Sequence, residues 1–451
     1  MAEFDVVVIG AGPAGEVCAG RLGSAGLEVV VVEQHLVGGE CSFYACMPSK
    51  ALLRPSELLG ETARVPGLRV DDGLDPTAVL ARRDDVIHDL DDSSQIPWLE
   101  QRGVTLLRGH AHFDGERRVR VGEQVLEARR AVVVASGSAP VWPPIPGLAD
   151  ARPWSNREAT TAKQPPESLV ILGGGVVGVE LAQAWSSLGS RVVLLEGAPR
   201  VIVREEPFAS AEVEAALVMA GVDVRTGSRA VAVSRDGEAV TVELADGTRA
   251  EGEELLVAVG RRPLTEELGL ETIGLQPGKP VEVGSNLRSP HHDWLYAIGD
   301  ANGRALLTHM GKYQGRLAAD AIQGKSVGVL SDGPLSPRAI FTDPQVAAVG
   351  HTVATAESAG MVVRTADAPT SGSAGASFVG RNTPGTSRLV IDENRGIIVG
   401  ATFVGFEVAE MLHAATIAVV GEVPLDRIAH AVPCFPARNE LWLYLLEAAG
   451  Y

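Results

Sequence analysis

Cys41 and Cys46 stand in "GGECSFYACMPSK" (38–50), with four residues between them and a Pro-Ser-Lys turn behind. Four cysteines in a chain of 451 residues cannot form a secreted disulfide framework. In a reducing cytosol a close pair is more often catalytic, redox-sensing or metal-binding. A zinc site would need about four ligands, and no second close Cys or His pair has ligand-like spacing. Pro48 suits a first helical turn, so the sulfurs are expected near a helix N-terminus with Lys50 close by, and both features stabilise a thiolate. The plainer alternative is a pair of small buried residues.

The elements that must position such a pair are visible in two matched stretches. Residues 5–33 read "DVVVIGAGPAGEVCAGRLGSAGLEVVVVE": an apolar strand, a Gly-rich turn, an Ala-rich helix and a second strand ending on an acid. Residues 168–196 repeat that order, and Gly10, Gly12, Gly15 and Glu33 match Gly173, Gly175, Gly178 and Glu196 at one constant shift of 163. Each is a βαβ unit of a parallel sheet. The glycines let backbone approach a pyrophosphate at a helix N-terminus, and the acid accepts hydrogen bonds from ribose hydroxyls. One GxGxxG is weak, whereas two in this context predict two bound dinucleotides. The Pro-rich "VWPPIPGLAD" (141–150) separates the units, and the second ends near "LVAVGRRP" (256–263), which contains Gly260. Past 332–350 the pattern changes to alternating strands, with a helix expected over about 407–420. The expected fold class is α/β, with two Rossmann-like dinucleotide-binding domains and a C-terminal α+β domain. The boundaries read as 1–147, 148–267, 268–336 and 337–451.

Composition agrees with this reading. Hydrophobic residues reach 45% and Gly 51 positions, while aromatic residues are only 4%, which suits Gly-hinged α/β units better than aromatic-rich all-β folds. The formal charge of −18 argues against nucleic acid or an anionic membrane as partner. The N-terminus carries no basic start before its apolar run, and no apolar stretch approaches the roughly 18 residues of a spanning helix, so a cytoplasmic protein is expected.

On these motifs the sequence resembles the class I pyridine nucleotide-disulfide oxidoreductases, the flavoenzymes that include dihydrolipoamide dehydrogenase, glutathione reductase, mycothione reductase and mercuric reductase. The motifs are the two GxGxxG runs, GGxCxxxxCxPSK with Gly39, Gly299-Asp300 and "FTDPQVAAVG" (341–350), and they span essentially the whole chain. The resemblance implies that the first unit binds FAD, with Glu33 on the adenosine ribose and Ala111 meeting the adenine. Ser136 and Gly137 would close the site. Asp300 would hold the ribityl and pyrophosphate region, and Thr308 would start the helix facing the isoalloxazine. The second unit would bind the nicotinamide nucleotide, and Glu196 favours NADH over NADPH because it would repel a 2′-phosphate. Arg200 and Arg204 lie close in sequence and pull the other way. Cys46 would face the flavin and Cys41 the substrate, with Lys50 and Glu180 an ion pair beside the flavin.

One part of the pattern is broken. In the disulfide reductases a C-terminal His-Pro-Thr, with a Glu five residues after the His, reaches in from the partner subunit of a homodimer as general acid/base. Here the stretch is "IAHAVPCFPARNE" (428–440). Aligned on Glu440 and Pro436, it puts Phe435 in the histidine's place. His430 falls five residues too early. Cys434 is either an additional thiol or a small filler. General acid/base help is worth roughly 10²- to 10⁴-fold, so the expected acceptor is a nonstandard thiol, disulfide or sulfur-bearing molecule. Alternatives are a quinone, a soft metal ion as in mercuric reductase, or thiol-assisted carbon chemistry as in 2-ketopropyl-coenzyme M oxidoreductase/carboxylase. Phe43 and Tyr44, between the cysteines, are read as pocket walls or as packing.

Overall fold

The computed structural model describes residues 1–71, 73–381, 383 and 385–451, and the chain divides into two compact units. The first comprises Met1–Pro48, Asp84–Val141 and Arg261–Gly333. The second comprises Ser49–Arg83, Trp142–Gly260 and Pro334–Tyr451.

The first unit is built on a seven-stranded sheet. Its spatial order runs Val104–Arg108, Val29–Glu33, Ala2–Ile9, Gln124–Val134, Arg118–Val121, Ala111–Phe113, and Leu295–Ala297 pairs in parallel with the end of Gln124–Val134. The first four strands are parallel, the arrangement that uninterrupted valine runs demand because both faces are covered. Val6, Val7, Val8, Val30, Val31 and Val132 to Val134 are all at most 1% exposed. The helices Pro13–Ser24 and Thr308–Ile322 pack closely together. Gly315 is required there, since a Cβ on it would stand 2.6 Å from the Ala14 carbonyl oxygen.

The second unit holds a four-stranded parallel sheet in the order Asp223–Arg225, Arg191–Leu195, Ser168–Leu172, Glu254–Val257, with the helix Val176–Ser187 following the Gly-rich turn. Beside it are a three-stranded antiparallel sheet over 230–252 and a five-stranded antiparallel sheet. The latter runs Arg338–Ile340, Gln345–Gly350, Ile397–Gly405, Thr386–Asp392, Val363–Pro369. Helices Val408–Val420 and Leu441–Ala448 cover one face of the five-stranded sheet through Met411, Leu412, Leu441 and Leu445. The architecture is therefore α/β with two Rossmann-like layers and a C-terminal α+β part. Among the described residues no helix is long and apolar enough to cross a membrane.

Candidate active site

The two Gly-rich turns are wired alike. Gly10 (φ +102°) and Gly173 (φ +106°) adopt backbone that L side chains rarely tolerate, and a Cβ would meet the carbonyl oxygens of Ala135 and Ala258 at 2.4 and 2.5 Å. Gly15 and Gly178 face Gly10 and Gly173, where a Cβ would stand 1.9 Å from a carbonyl oxygen. Gly12 and Gly175 differ, because a Cβ on either would meet nothing within 4 Å. Each caps its helix without a side-chain hydrogen bond, so the first-turn N–H groups keep an open approach. That open cradle at the positive end of a helix suits a pyrophosphate.

Each cradle has its acid. The Glu33 carboxylate accepts the Ala11 N–H at 2.7 Å and the His35 N–H at 2.8 Å, and Glu196 accepts Gly174 N–H at 2.6 Å and Ala198 N–H at 2.7 Å. The remaining lone pairs can take ribose hydroxyls. Near Glu196, Arg204 is exposed, while Arg200 donates to the Val203 carbonyl at 2.8 Å and leaves its other amino nitrogen buried without a partner among the described residues. Gly260, at the end of the same unit's sheet, borders open space.

In the first unit Ala111 is buried, Gly137 has positive φ, and Ser136 keeps a buried hydroxyl with no partner among the described residues, a polar atom suited to a bound cofactor. Asp300 lies in the short 3₁₀ turn Gly299–Asn302 and accepts the Ser138 hydroxyl. Burial pushes its carboxyl above the usual range, against the Ser138 bond and the Arg261 charge. Arg261 fixes Ser138 through its hydroxyl at 2.8 Å and its carbonyl at 2.7 Å. Gln314 holds the turn by accepting Gly299 N–H and the Asn302 amide at 2.8 and 2.9 Å. In the sequence nothing marks Ser138 or Gln314, and "GRRP" is the one visible cue for Arg261.

The dithiol occupies the junction of two helices. Gly39–Phe43 carries Cys41, and Cys46 is the first residue of Cys46–Arg64. Cys46 Sγ lies 3.4 Å from Thr308 Oγ1, and Thr308 opens the 15-residue helix Thr308–Ile322. Both helix N-termini favour a thiolate at Cys46. The Cys41 thiol is pushed far up, first by its hydrogen bond to Cys46, then by burial and the Cys46 charge, while Thr308 and Lys312 pull it down.

Phe43, between the sulfurs, is completely buried, so it is packing and not a pocket wall, and Tyr44 is half-buried. Cys18 is also buried, and burial pushes its thiol up to about 12, which leaves it inert at neutral pH. Among the described residues no three His, Cys, Asp or Glu side chains gather as a metal site.

In the second unit Lys50 Nζ meets Glu180 Oε2 at 2.6 Å. Glu180, only 3% exposed, also accepts the Phe341 N–H at 2.9 Å, and the Phe341 ring lies 4.9 Å from Nζ. The C-terminal stretch divides sharply: Glu440 is buried and accepts the Gly375 N–H at 3.2 Å, whereas Phe435 is 78% exposed. Cys434 and His430 are exposed as well.

Comparison with known families decides the class. Residues 4–322 match the model of the pyridine nucleotide-disulphide oxidoreductases and residues 336–444 match that of their dimerisation domain. The chain belongs to the class I pyridine nucleotide-disulfide oxidoreductases. It is 34% identical to the dihydrolipoyl dehydrogenase of Thermus scotoductus over 100% of this chain and 97% of the relative. It is 29% identical to a mercuric reductase of Staphylococcus aureus over 92% of this chain and 77% of the relative. In fold it resembles the flavoprotein disulfide reductase RclA of Escherichia coli, with a TM-score of 0.86, 24% identity and 99% of each chain covered. The oxidoreductase is thus an FAD-dependent enzyme that uses a pyridine nucleotide and acts on sulfur groups. The open cradle at Gly12, the Glu33 carboxylate and the orphaned Ser136 hydroxyl fit FAD in the first unit.

Proposed function

We propose that this oxidoreductase takes electrons from NADH and presents them through Cys46 and then Cys41 to a nonstandard thiol, disulfide or sulfur-bearing acceptor. The observation that carries the reading is Cys46 Sγ at 3.4 Å from the Thr308 hydroxyl, at the N-terminus of a long helix, with Cys41 hydrogen-bonded behind it. Bound FAD would supply the hydride acceptor and the two-electron link between nicotinamide and sulfur.

The chain's own groups set the proton inventory. Opening the Cys41–Cys46 disulfide takes two electrons and one proton. The products are a Cys46 thiolate, held by Thr308 and two helix N-termini, and a Cys41 thiol. Lys50 would lend positive charge to the flavin edge, with Glu180 keeping its ammonium in place. Gly173, Gly175, Gly178 and Gly260 would seat the nicotinamide nucleotide. Glu196 favours NADH, a reading supported by its two backbone bonds, which aim its carboxylate at the end of the strand.

In a homodimer, Phe435 and Glu440 would complete the partner's site. With Phe435 there, no C-terminal imidazole takes the Cys41 proton or protonates the leaving thiol. An acceptor disulfide with a low-pKa leaving thiol tolerates this. A quinone needs no leaving thiol at all, so the same phenylalanine favours quinone reduction as the second reading.

The test is an anaerobic NADH titration of wild type and Phe435→His, followed by turnover with disulfides, quinones and metal ions. The missing-proton account expects the histidine variant to gain ordinary disulfide reductase activity by roughly tenfold or more. No gain would mean that pocket shape sets the specificity. Cys41→Ser with unchanged turnover on the preferred acceptor would sink the dithiol route in favour of the quinone reading.

A further inference from the structure

Lys312 is an exposed cation at the dithiol, and no step described so far uses it. It lies one helical turn beyond Thr308, so the two side chains share a face of Thr308–Ile322. That helix runs against Pro13–Ser24 at backbone contact. A Cβ on Gly311 would stand 3.1 Å from the Ala14 Cβ, and one on Gly315 would stand 2.6 Å from the Ala14 carbonyl oxygen. So close a seam puts Glu16, two residues past Ala14, beside the first turns of the opposing helix. Glu16 follows the last glycine of the first GxGxxG, where the matched turn of the second unit has Val179. Lys312 therefore lies one turn from the hydroxyl that meets Cys46, and its charge pulls on the ionisation of both Glu16 and Cys41.

From this placement we infer that Lys312 is a positioning cation for the dithiol: it stabilises the Cys41 thiolate when that sulfur must give up its proton, and Glu16 is its titratable counter-charge. The inference rests on the proposed dithiol route and adds to it the electrostatic partner that Phe435 does not supply.

The groups around the pair support a switch near neutral pH. Glu16 faces Lys312 from Thr308–Ile322 and Glu33 from the strand Val29–Glu33, and burial, with Glu33 assisting against Lys312, pushes its carboxyl up to about 7. Below that pH Glu16 is neutral and the whole Lys312 charge is available to sulfur. Above it, the Glu16 carboxylate offsets part of that charge. Cys41 itself faces Cys46, Thr308 and Lys312. An opposite charge within about 4–6 Å moves a thiol by about one unit or more, and one unit is tenfold in thiolate.

The test is alkylation of the flavin-loaded protein after anaerobic reduction by NADH. The rate of iodoacetamide labelling at Cys41 is read by peptide mass spectrometry across pH 5.5 to 10, in a Cys434→Ser background. Lys312→Met should slow labelling roughly three- to tenfold at pH 7 and move its midpoint to higher pH, while Lys312→Arg should keep the wild-type profile. Glu16→Gln should speed labelling about two- to threefold at pH 8 and leave it unchanged at pH 5.5. A Lys312→Met profile that superimposes on wild type overturns the inference. Should that variant not fold, a Glu16→Gln profile identical to wild type at pH 8 overturns it equally. Cys41 that NADH never exposes to label in wild type would instead overturn the dithiol route itself.

Discussion

Glu33 and Glu196 each clamp two backbone amides, one in the Gly-rich turn and one just past the strand end, at identical offsets 163 residues apart. A carboxylate that already holds the turn in shape would reach a bound ribose pre-oriented, so its removal should cost both geometry and ligand bonds. Hydrogen bonds to charged groups are worth roughly 1.5–3 kcal/mol. Glu33→Ala should weaken FAD binding about ten- to a hundredfold, seen as flavin lost on gel filtration. Glu196→Ala should leave flavin content alone and lower kcat/KM for NADH more than for NADPH.

The open space at Gly12 and the crowding at Gly15 predict opposite failures. Gly12→Val adds a side chain that the bare fold can hold but a pyrophosphate cannot pass, so the far-ultraviolet circular dichroism should stay native while flavin content collapses. Gly15→Val drives a side chain into the Gly10 carbonyl and should yield little folded protein. Equal loss of fold in both would show that the space at Gly12 is structural.

Lys50 and Glu180 form a pair in which the acid is buried and the cation is partly solvated. Among the described residues, Lys50→Met leaves the Glu180 carboxylate with only the Phe341 amide, a loss of about 1–3 kcal/mol. The denaturation midpoint should fall, and Glu180→Gln in the same background should recover part of it. Lys50→Arg should retain stability yet slow flavin reduction by NADH in stopped flow, because a guanidinium does not present the same compact charge.

The raised carboxyl of Glu16 gives stability a sign with pH. Its folded value of about 7 exceeds the unfolded 4.5, so the folded state binds this proton more tightly. The contribution is fully present below about 4.5 and is lost as pH rises to about 7, an effect on the order of 1–3 kcal/mol. Glu16→Gln should therefore melt above wild type at pH 8 and with it at pH 4.5. Wild type and variant melting in parallel at both values would place Glu16 in water.

Much of this architecture could be read in the chain because its signals are local. Two turns with fixed glycine spacing, two valine-rich strands and an acid at strand end are written within about thirty residues each, and the C-terminal helix expected over 407–420 is found at Val408–Val420. Cys46 opening a helix likewise followed from Pro48 two residues on. What could not be read depends on contacts far apart in the chain. Ser138 meets Asp300 across 162 residues, and Gln314 orders a turn 15 residues before it. Phe43 offered an aromatic in a suggestive place, and only its complete burial identifies it as core. Lys312 and Glu16 are nearly three hundred residues apart in sequence, and the seam of small residues that brings their helices together has no local signature.

If Cys41 and Cys46 form an electron store beside the flavin, anaerobic dithionite titration followed by flavin absorbance counts that store directly. Wild type should take up two two-electron equivalents per flavin, and Cys41→Ser and Cys46→Ser should each take up one. One equivalent in all three proteins would contradict the account and leave the cysteines outside the redox chain.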